Sequence, residues 1–279
     1  MISPTLTSLL MYTTVIIKAK SSAGEYSVGT AFYFNYKIAD KKYILSLVTN
    51  KHVVEDAVEI TAIVQDSSSN AQGKKGPANK GFLVNLSKWG DDWIKHPDHN
   101  IDLCCTVINP NSDVAKRIYW EPIAEDFLQD DESLGKLQAL EDVLMVGYPL
   151  GRYDSKHNLP IFRKGITASH PAIDFNEEPK GLCDISVYNG SSGSPILIVN
   201  QGSYATQNGI QIGSRLVMLG ILFGYFPITI KDDDTIKEIP TEADMIGERL
   251  APANLGVYIK AKELLKMKAI ILEKYNVTQ

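Results

Sequence analysis

Short runs of β-branched and aromatic residues, separated by polar or glycine-containing breaks, dominate the first two-thirds of the chain. Residues 12–20, 25–36 and 43–49 are apolar runs, and residues 57–65 alternate through Val58, Ile60, Ala62 and Val64. That spacing predicts strands with one face turned to a core. Residues 81–86 and 103–108 continue the pattern. The polar, Ser/Asn/Gly/Lys-rich stretch 66–80 reads as a surface loop. Residues 109–140 hold Pro110, Pro122 and an acidic run, and predict a connection with a short helix near 133–140. Strand patterning resumes at 142–148, 161–168, 182–187, 195–199 and 215–224.

The chain closes differently. Leu264, Met267, Ile271 and Tyr275 fall on one face of a helix over 260–275. Two groups of about six short strands, a linker and a terminal helix predict an all-β fold of two six-stranded antiparallel barrels packed side by side. The expected division is a first barrel over 12–120, a second over 141–259 and the helix over 260–275, all one unit spanning 1–279.

Composition narrows the class. Apolar residues make up 44% and charged residues 22%, as in soluble globular chains. A net charge of -5 offers no basic footprint for nucleic acid. No apolar run is long enough to span a membrane, and the first ten residues lack the cationic region of a signal peptide. Cys104, Cys105 and Cys183 lie in apolar segments and make no disulfide framework, so buried thiols in a reducing cytoplasm are expected. The acidic insertion 231–249, with Asp232-Asp233-Asp234, reads as a solvated loop, with a site for a basic partner as the alternative.

Candidate chemistry centres on Tyr188-Asn189-Gly190-Ser191-Ser192-Gly193-Ser194-Pro195, a tight Gly/Ser turn before an apolar strand. Its glycines permit backbone conformations that aim several N–H groups at one point, which suits the oxyanion of acyl transfer. The five histidines, His52, His96, His99, His157 and His170, all precede Ser192. The order Ser, acid, His is therefore excluded for this serine. Only Asp40 precedes His52 among the aspartates, which disfavours Asp, His, Ser. The order His, Asp, Ser remains. His52 lies just past a strand, where it can serve as base. Asp102 opens an apolar strand, where a carboxylate needs a partner such as an imidazole N–H. A surface histidine and a solvent-facing aspartate are the plain alternatives. His96-x-x-His99-x-x-Asp102 has metal-like spacing, but Pro97 and the absence of a helix favour an ordinary polar loop.

These segments resemble the trypsin-like serine proteases, especially the HtrA (Deg) branch and related bacterial members. Thr49-Asn50-Lys51-His52-Val53-Val54 is similar to their histidine segment and Asn100-Ile101-Asp102-Leu103 to their aspartate segment. Asn189-Gly190-Ser191-Ser192-Gly193-Ser194-Pro195 is similar to their nucleophile loop. Asp184, Gly147-Tyr148-Pro149-Leu150-Gly151, Arg163-Lys164-Gly165-Ile166 and Leu255-Gly256-Val257-Tyr258-Ile259-Lys260 match in family order. The resemblance implies a chymotrypsin-like double barrel and a serine endopeptidase with His52, Asp102 and Ser192 as catalytic triad. It implies an oxyanion hole at the N–H groups of Gly190 and Ser192, and neither cofactor nor metal. Protein or peptide substrates are expected, in the cytoplasm, with no PDZ module after Tyr275. A partner protein or delivered substrate is expected to regulate it.

Three departures refine this. Ser191 stands where secreted trypsins carry the Asp that pairs with a cut N-terminus, so activation by N-terminal insertion is not expected. Ser186 stands at the base of the primary pocket, which removes the basis for a Lys/Arg preference. Phe223 or Tyr225 would wall that pocket and Gly256 leave it open, which suits an apolar or medium-sized residue. A catalytically silent binding module on the same fold is the alternative function.

Overall fold

The computed structural model describes residues 5–69, 73–89, 92–226, 237–238 and 253–276. The first sheet is built from β1 (Thr14–Ser21), β2 (Tyr26–Ala39), β3 (Lys42–Thr49), β4 (Ala57–Ser69), β5 (Lys75–Asn85), β6 (Ile94–Lys95), β7 (Cys104–Val107) and β8 (Ile123–Ala124). Its strand order is β5-β4-β1-β2-β3-β7-β6, with β8 added in parallel to β2. The second half holds β9 (Asp142–Gly147), β10 (Ile161–Thr167), β11 (Lys180–Val187), β12 (Pro195–Asn200), β13 (Ser203–Thr206), β14 (Gly209–Ile212), β15 (Arg215–Tyr225), β16 (Lys237–Glu238) and β17 (Ala253–Lys260). The order β12-β9-β10-β11-β17-β15 closes on itself through the β12–β15 pairing, giving a six-stranded antiparallel barrel. β13 and β14 form a separate hairpin, and β16 extends β15. The fold is consistent with the all-β double-barrel arrangement expected, with a helix at its C-terminal end; among the described residues the first half has eight strands, one of them parallel, against the six antiparallel strands expected.

Period-two alternation explains how the two halves pack. Val15, Ile17, Ala31, Tyr33, Leu45, Leu47, Ile60, Ala62 and Val64 fill the interior of the first sheet. Val143, Met145, Cys183, Ile185, Val187, Ile196, Ile198, Val217 and Leu219 fill the second barrel. The opposite faces are apolar too. Phe32, Phe34, Tyr36 and Val48 meet Val146, Leu197, Met218, Ile221, Val257 and Ile259 in a third core between the halves. Strands buried on both faces read as continuous apolar runs, which is why 25–36 shows little alternation.

The terminal helix, Glu263–Lys274, joins that third core through Leu264, Met267 and Ile271, all fully buried. Each such side chain contributes about 1.5–3 kcal/mol of burial. Lys268 Nζ reaches Glu125 Oε1 at 2.8 Å, and Glu125 Oε2 accepts the Lys37 N–H at 3.0 Å, so the helix is tied to the linker and the first sheet. None of the helices in the described residues is long and apolar enough to cross a membrane.

The stretch 66–80 departs from the loop expectation. β4 and β5 pair there through Ser67↔Pro77, Ser68↔Gly76 and Ser69↔Lys75. The paired residues here are exposed or half-buried, so polar side chains suit them and hide the strand signal. The short linker helix is Asp131–Gly135, capped by Asp130, whose side chain accepts the Ser133 N–H. The acidic insertion 231–249 lies outside the described residues, apart from the two of β16.

Candidate active site

His52 is set by a single helical turn, Lys51–Val54, that starts where β3 ends. Asn50 precedes it, and its Nδ2 donates to the Asp102 carbonyl at 2.7 Å. That bond pins the segment before β7 against the end of β3. The Asp102 carboxylate then accepts twice from one residue. The His52 backbone N–H reaches Oδ1 at 3.1 Å and Nδ1 lies 2.5 Å from Oδ2. On its other side, His52 Nε2 lies 3.0 Å from Ser192 Oγ. With Nδ1 donating to the carboxylate, Nε2 is left as the acceptor for the serine proton. The two side chains are each only 11% exposed, so the pair is shielded from water without being sealed.

Ser192 belongs to the turn between β11 and β12, where Gly190 and Gly193 both have φ +84. Glycine is required at each on two grounds. The conformation is left-handed, and a Cβ would lie 2.4 Å from the Tyr148 carbonyl oxygen at 190 and 1.9 Å from the Thr30 carbonyl oxygen at 193. Successive carbonyls in the turn are held outward. Asn189 O accepts from Leu150 N at 2.5 Å, Gly190 O from Thr30 Oγ1 at 2.8 Å, and Ser191 O from Ser194 N at 3.1 Å. Since N–H and C=O of one peptide point oppositely, the Gly190 and Ser192 N–H groups turn to the other side. Neither donates to a protein acceptor among the described residues. A pair of preset donors beside a serine oxygen can stabilise a developing oxyanion.

Ser191 takes a local role. Its N–H donates to Tyr188 O at 2.9 Å and its Oγ accepts from Tyr188 N at 3.4 Å, closing the turn on itself. Beside His52 opens a cleft of about 530 Å³ lined by His52, Asp102, His99, Lys51, Lys180 and Phe223 among others. The Phe223 side chain presents no hydrogen-bonding group to Asp102; among the described residues the carboxylate oxygens are held by His52 alone. Lys180 lies over the Phe223 ring at 5.3 Å and pairs with Glu178.

The other two pocket candidates do not line this cleft. Ser186 Oγ donates to Asn254 Oδ1 at 3.1 Å. The side-chain direction of Gly256 is already filled: a Cβ there would meet Val187 Cγ2 at 2.9 Å and Leu222 Cδ1 at 3.1 Å. Its lack of a side chain serves packing in the second barrel rather than an opening. His96, from the metal-like spacing, turns inward. Its Nδ1 accepts the Asp98 N–H at 3.1 Å and its Nε2 lies 3.2 Å from Glu263 Oε2 on the terminal helix. Burial holds His96 below the usual histidine range. Burial likewise pushes the Cys105 and Cys183 thiols up to about 12, and Cys104 well above its ordinary value.

Sequence reasoning missed Thr30 and the Leu150 backbone. The only local signal for Thr30 was its place after Gly29 in an apolar strand. Its partner at Gly190 is 160 residues away.

The Rv3671c protease from M. tuberculosis is similar in its active form at 18% identity, covering 99% of this chain and 89% of that one, with a TM-score of 0.49. The inactive form of that protease is similar at 18% identity over 95% of this chain and 91% of that one, with a TM-score of 0.45. No curated protein sequence matches the chain. A model of the trypsin-like peptidase domain matches residues 29–203, more than half of the 279 residues, and the chain belongs to that family.

Proposed function

We propose that this trypsin-like peptidase is a serine endopeptidase that cleaves peptide bonds through an acyl-enzyme on Ser192. The observation that carries the reading is the unbroken chain Asp102 Oδ2, His52 Nδ1, His52 Nε2, Ser192 Oγ, at 2.5 and 3.0 Å. Ser192 Oγ attacks the scissile carbonyl and its proton passes to His52 Nε2. Asp102 holds the tautomer and stabilises the imidazolium. The Gly190 and Ser192 N–H groups receive the oxyanion. Collapse expels the amine, which takes the proton from His52, and water then releases the acyl group by the same steps in reverse. The first barrel supplies base and orienter and the second the nucleophile, so both belong to one catalytic unit.

Phe223 gives the cleft beside His52 an apolar wall, which suits an apolar substrate side chain. The enzyme acts on a specific protein partner, and control runs through the turn Tyr148–Gly151. Loss of the Leu150 N–H from Asn189 O frees the 189–190 peptide to rotate, which would turn a carbonyl toward the oxyanion site. Three unpaired cysteines suit a reducing compartment. The test is labelling with a fluorophosphonate, followed by cleavage-site profiling on a proteome-derived peptide library. Labelling and cleavage lost in Ser192→Ala and His52→Ala support the reading. Folded wild-type protein that neither labels nor cleaves between pH 6 and 9 overturns it in favour of a silent binding module.

A further inference from the structure

We infer that Thr30, on β2 of the first barrel, is a positioning residue that sets the oxyanion hole of the second, an assignment that rests on the Ser192 reading above. Thr30 is fully buried and touches the nucleophile turn twice. Its N–H donates to Ser192 O at 2.8 Å and its Oγ1 donates to Gly190 O at 2.8 Å. The second bond fixes the peptide between residues 190 and 191. That peptide joins the one carrying the Gly190 N–H to the one carrying the Ser192 N–H. Rotation of this middle plane would misdirect both donors together.

The direction of the hydroxyl proton follows from its other contact. Tyr148 N donates to Thr30 Oγ1 at 3.1 Å, which uses an oxygen lone pair and leaves the single proton for Gly190 O. Tyr148 is anchored in turn by its own hydroxyl, which donates to Thr14 O at 3.1 Å on β1. Thr30 O accepts from Thr49 Oγ1 at 2.7 Å. Thr49 is the residue before Asn50, which holds Asp102. Thr30 therefore links the strand end that presents the base with the turn that presents the nucleophile. Its β-branched side chain has few rotamers available, and the surroundings leave no slack: a Cβ on Gly147 would lie 2.8 Å from Thr30 Oγ1. The hydroxyl is separate from the triad and from the backbone bond to Ser192, so its deletion leaves those intact and removes only the grip on Gly190 O and the acceptor for Tyr148 N.

The experiment compares Thr30→Val and Thr30→Ala, which delete the hydroxyl, with Thr30→Ser, which keeps it. Each is assayed for kcat and KM on a peptide from the cleavage profile. Each is also tested for affinity toward a peptidyl trifluoromethyl ketone. Ser192 Oγ adds to the ketone carbon, its proton goes to His52, and the former carbonyl oxygen becomes an oxyanion in the hole. Misplacing the donors should lower kcat on the order of 10- to 100-fold. Ketone affinity should fall by a matching factor, with KM little changed. Thr30→Ser should stay close to wild type. A loss confined to KM, an equal loss in Thr30→Ser, or wild-type kcat in a folded Val or Ala variant overturns the assignment. Wild-type protein without Ser192-dependent turnover would instead sink the Ser192 reading, and this inference with it.

Discussion

Leu150 donates its backbone N–H to the Asn189 carbonyl at 2.5 Å, from a left-handed conformation with φ 56 and ψ 26. A leucine in that region is strained, by roughly 1–2 kcal/mol, and the residue is 53% exposed, so packing does not demand it. The backbone position is what the site uses. It holds the 189–190 peptide with its carbonyl outward and hence its N–H toward the proposed oxyanion site.

Leu150→Gly keeps the N–H and removes the strain, so kcat should stay at the wild-type level. Leu150→Pro removes the N–H and forces φ near -65°. Its kcat should fall on the order of 10²-fold, the cost of losing one oxyanion donor. Steady-state kinetics on a single peptide substrate decides it, with melting curves to show that both variants fold. Equal activity of the two would remove Leu150 from the control of this loop.

The two Asp102 bonds to His52 make Asp102→Asn the sharpest test of the proton path. An amide can place an NH₂ opposite Nδ1, which then becomes an acceptor and puts the imidazole proton on Nε2, facing Ser192. The variant should fold normally and lose about 10⁴-fold in kcat. Fluorophosphonate labelling rates should fall in parallel. Labelling at the wild-type rate would mean that Asp102 does not set the tautomer.

Much of this was legible in the residues. The order His, Asp, Ser is what remains once all five histidines precede Ser192 and only Asp40 precedes His52. His52 and Asp102 themselves stand out by their strand-end context and the family resemblance, and the barrels follow from strand-length apolar runs. What stayed hidden depends on long-range approach. Thr30 looks like any strand threonine until β2 is brought against the 188–195 turn. Gly256 reads as a residue that leaves the pocket open, whereas Val187 and Leu222 occupy its side-chain direction. The paired ends 67–69 and 75–77 carry no period because none of their residues is fully buried. His96 reads locally as part of a polar loop, whereas its partner Glu263 comes from a helix 167 positions away.

The three thiols give a direct test of the cores. Cys105 and Cys183 are pushed up to about 12 by burial, and Cys104 is raised well above its ordinary value by burial, with Cys105 and Asp102 nearby adding to it. The thiolate is the reactive form. A disulfide reagent such as Ellman's should therefore modify none of them in native protein at pH 8, and all three after unfolding in guanidinium. Fast modification of one thiol in native protein would show that its core is open to solvent.

The buried contact between His96 and Glu263 predicts how stability responds to acid. Nε2 lies 3.2 Å from Oε2, with the two side chains at 0% and 1% exposure. The groups around His96 are mixed. The Asp98 N–H points at Nδ1, and the carboxylate of Glu263 favours the charged ring. Lys266, bonded to Glu263 at 2.8 Å, and Lys51 oppose it. Burial is the largest influence and leaves His96 below its ordinary value, so the fold prefers the neutral ring. The unfolded chain binds a proton near pH 6.5, whereas the folded one does so only at lower pH. Stability from this residue is thus complete above about pH 6.5 and is lost as pH falls below it toward the lowered folded value. Denaturant unfolding of wild type and His96→Gln from pH 8 to 5 measures the effect. Wild type should lose stability across that window more steeply than the variant. The loss should include docking of the terminal helix, read as faster amide exchange at Leu264 and Met267. Parallel stability curves for the two proteins would show that protonation of His96 does not act on the fold.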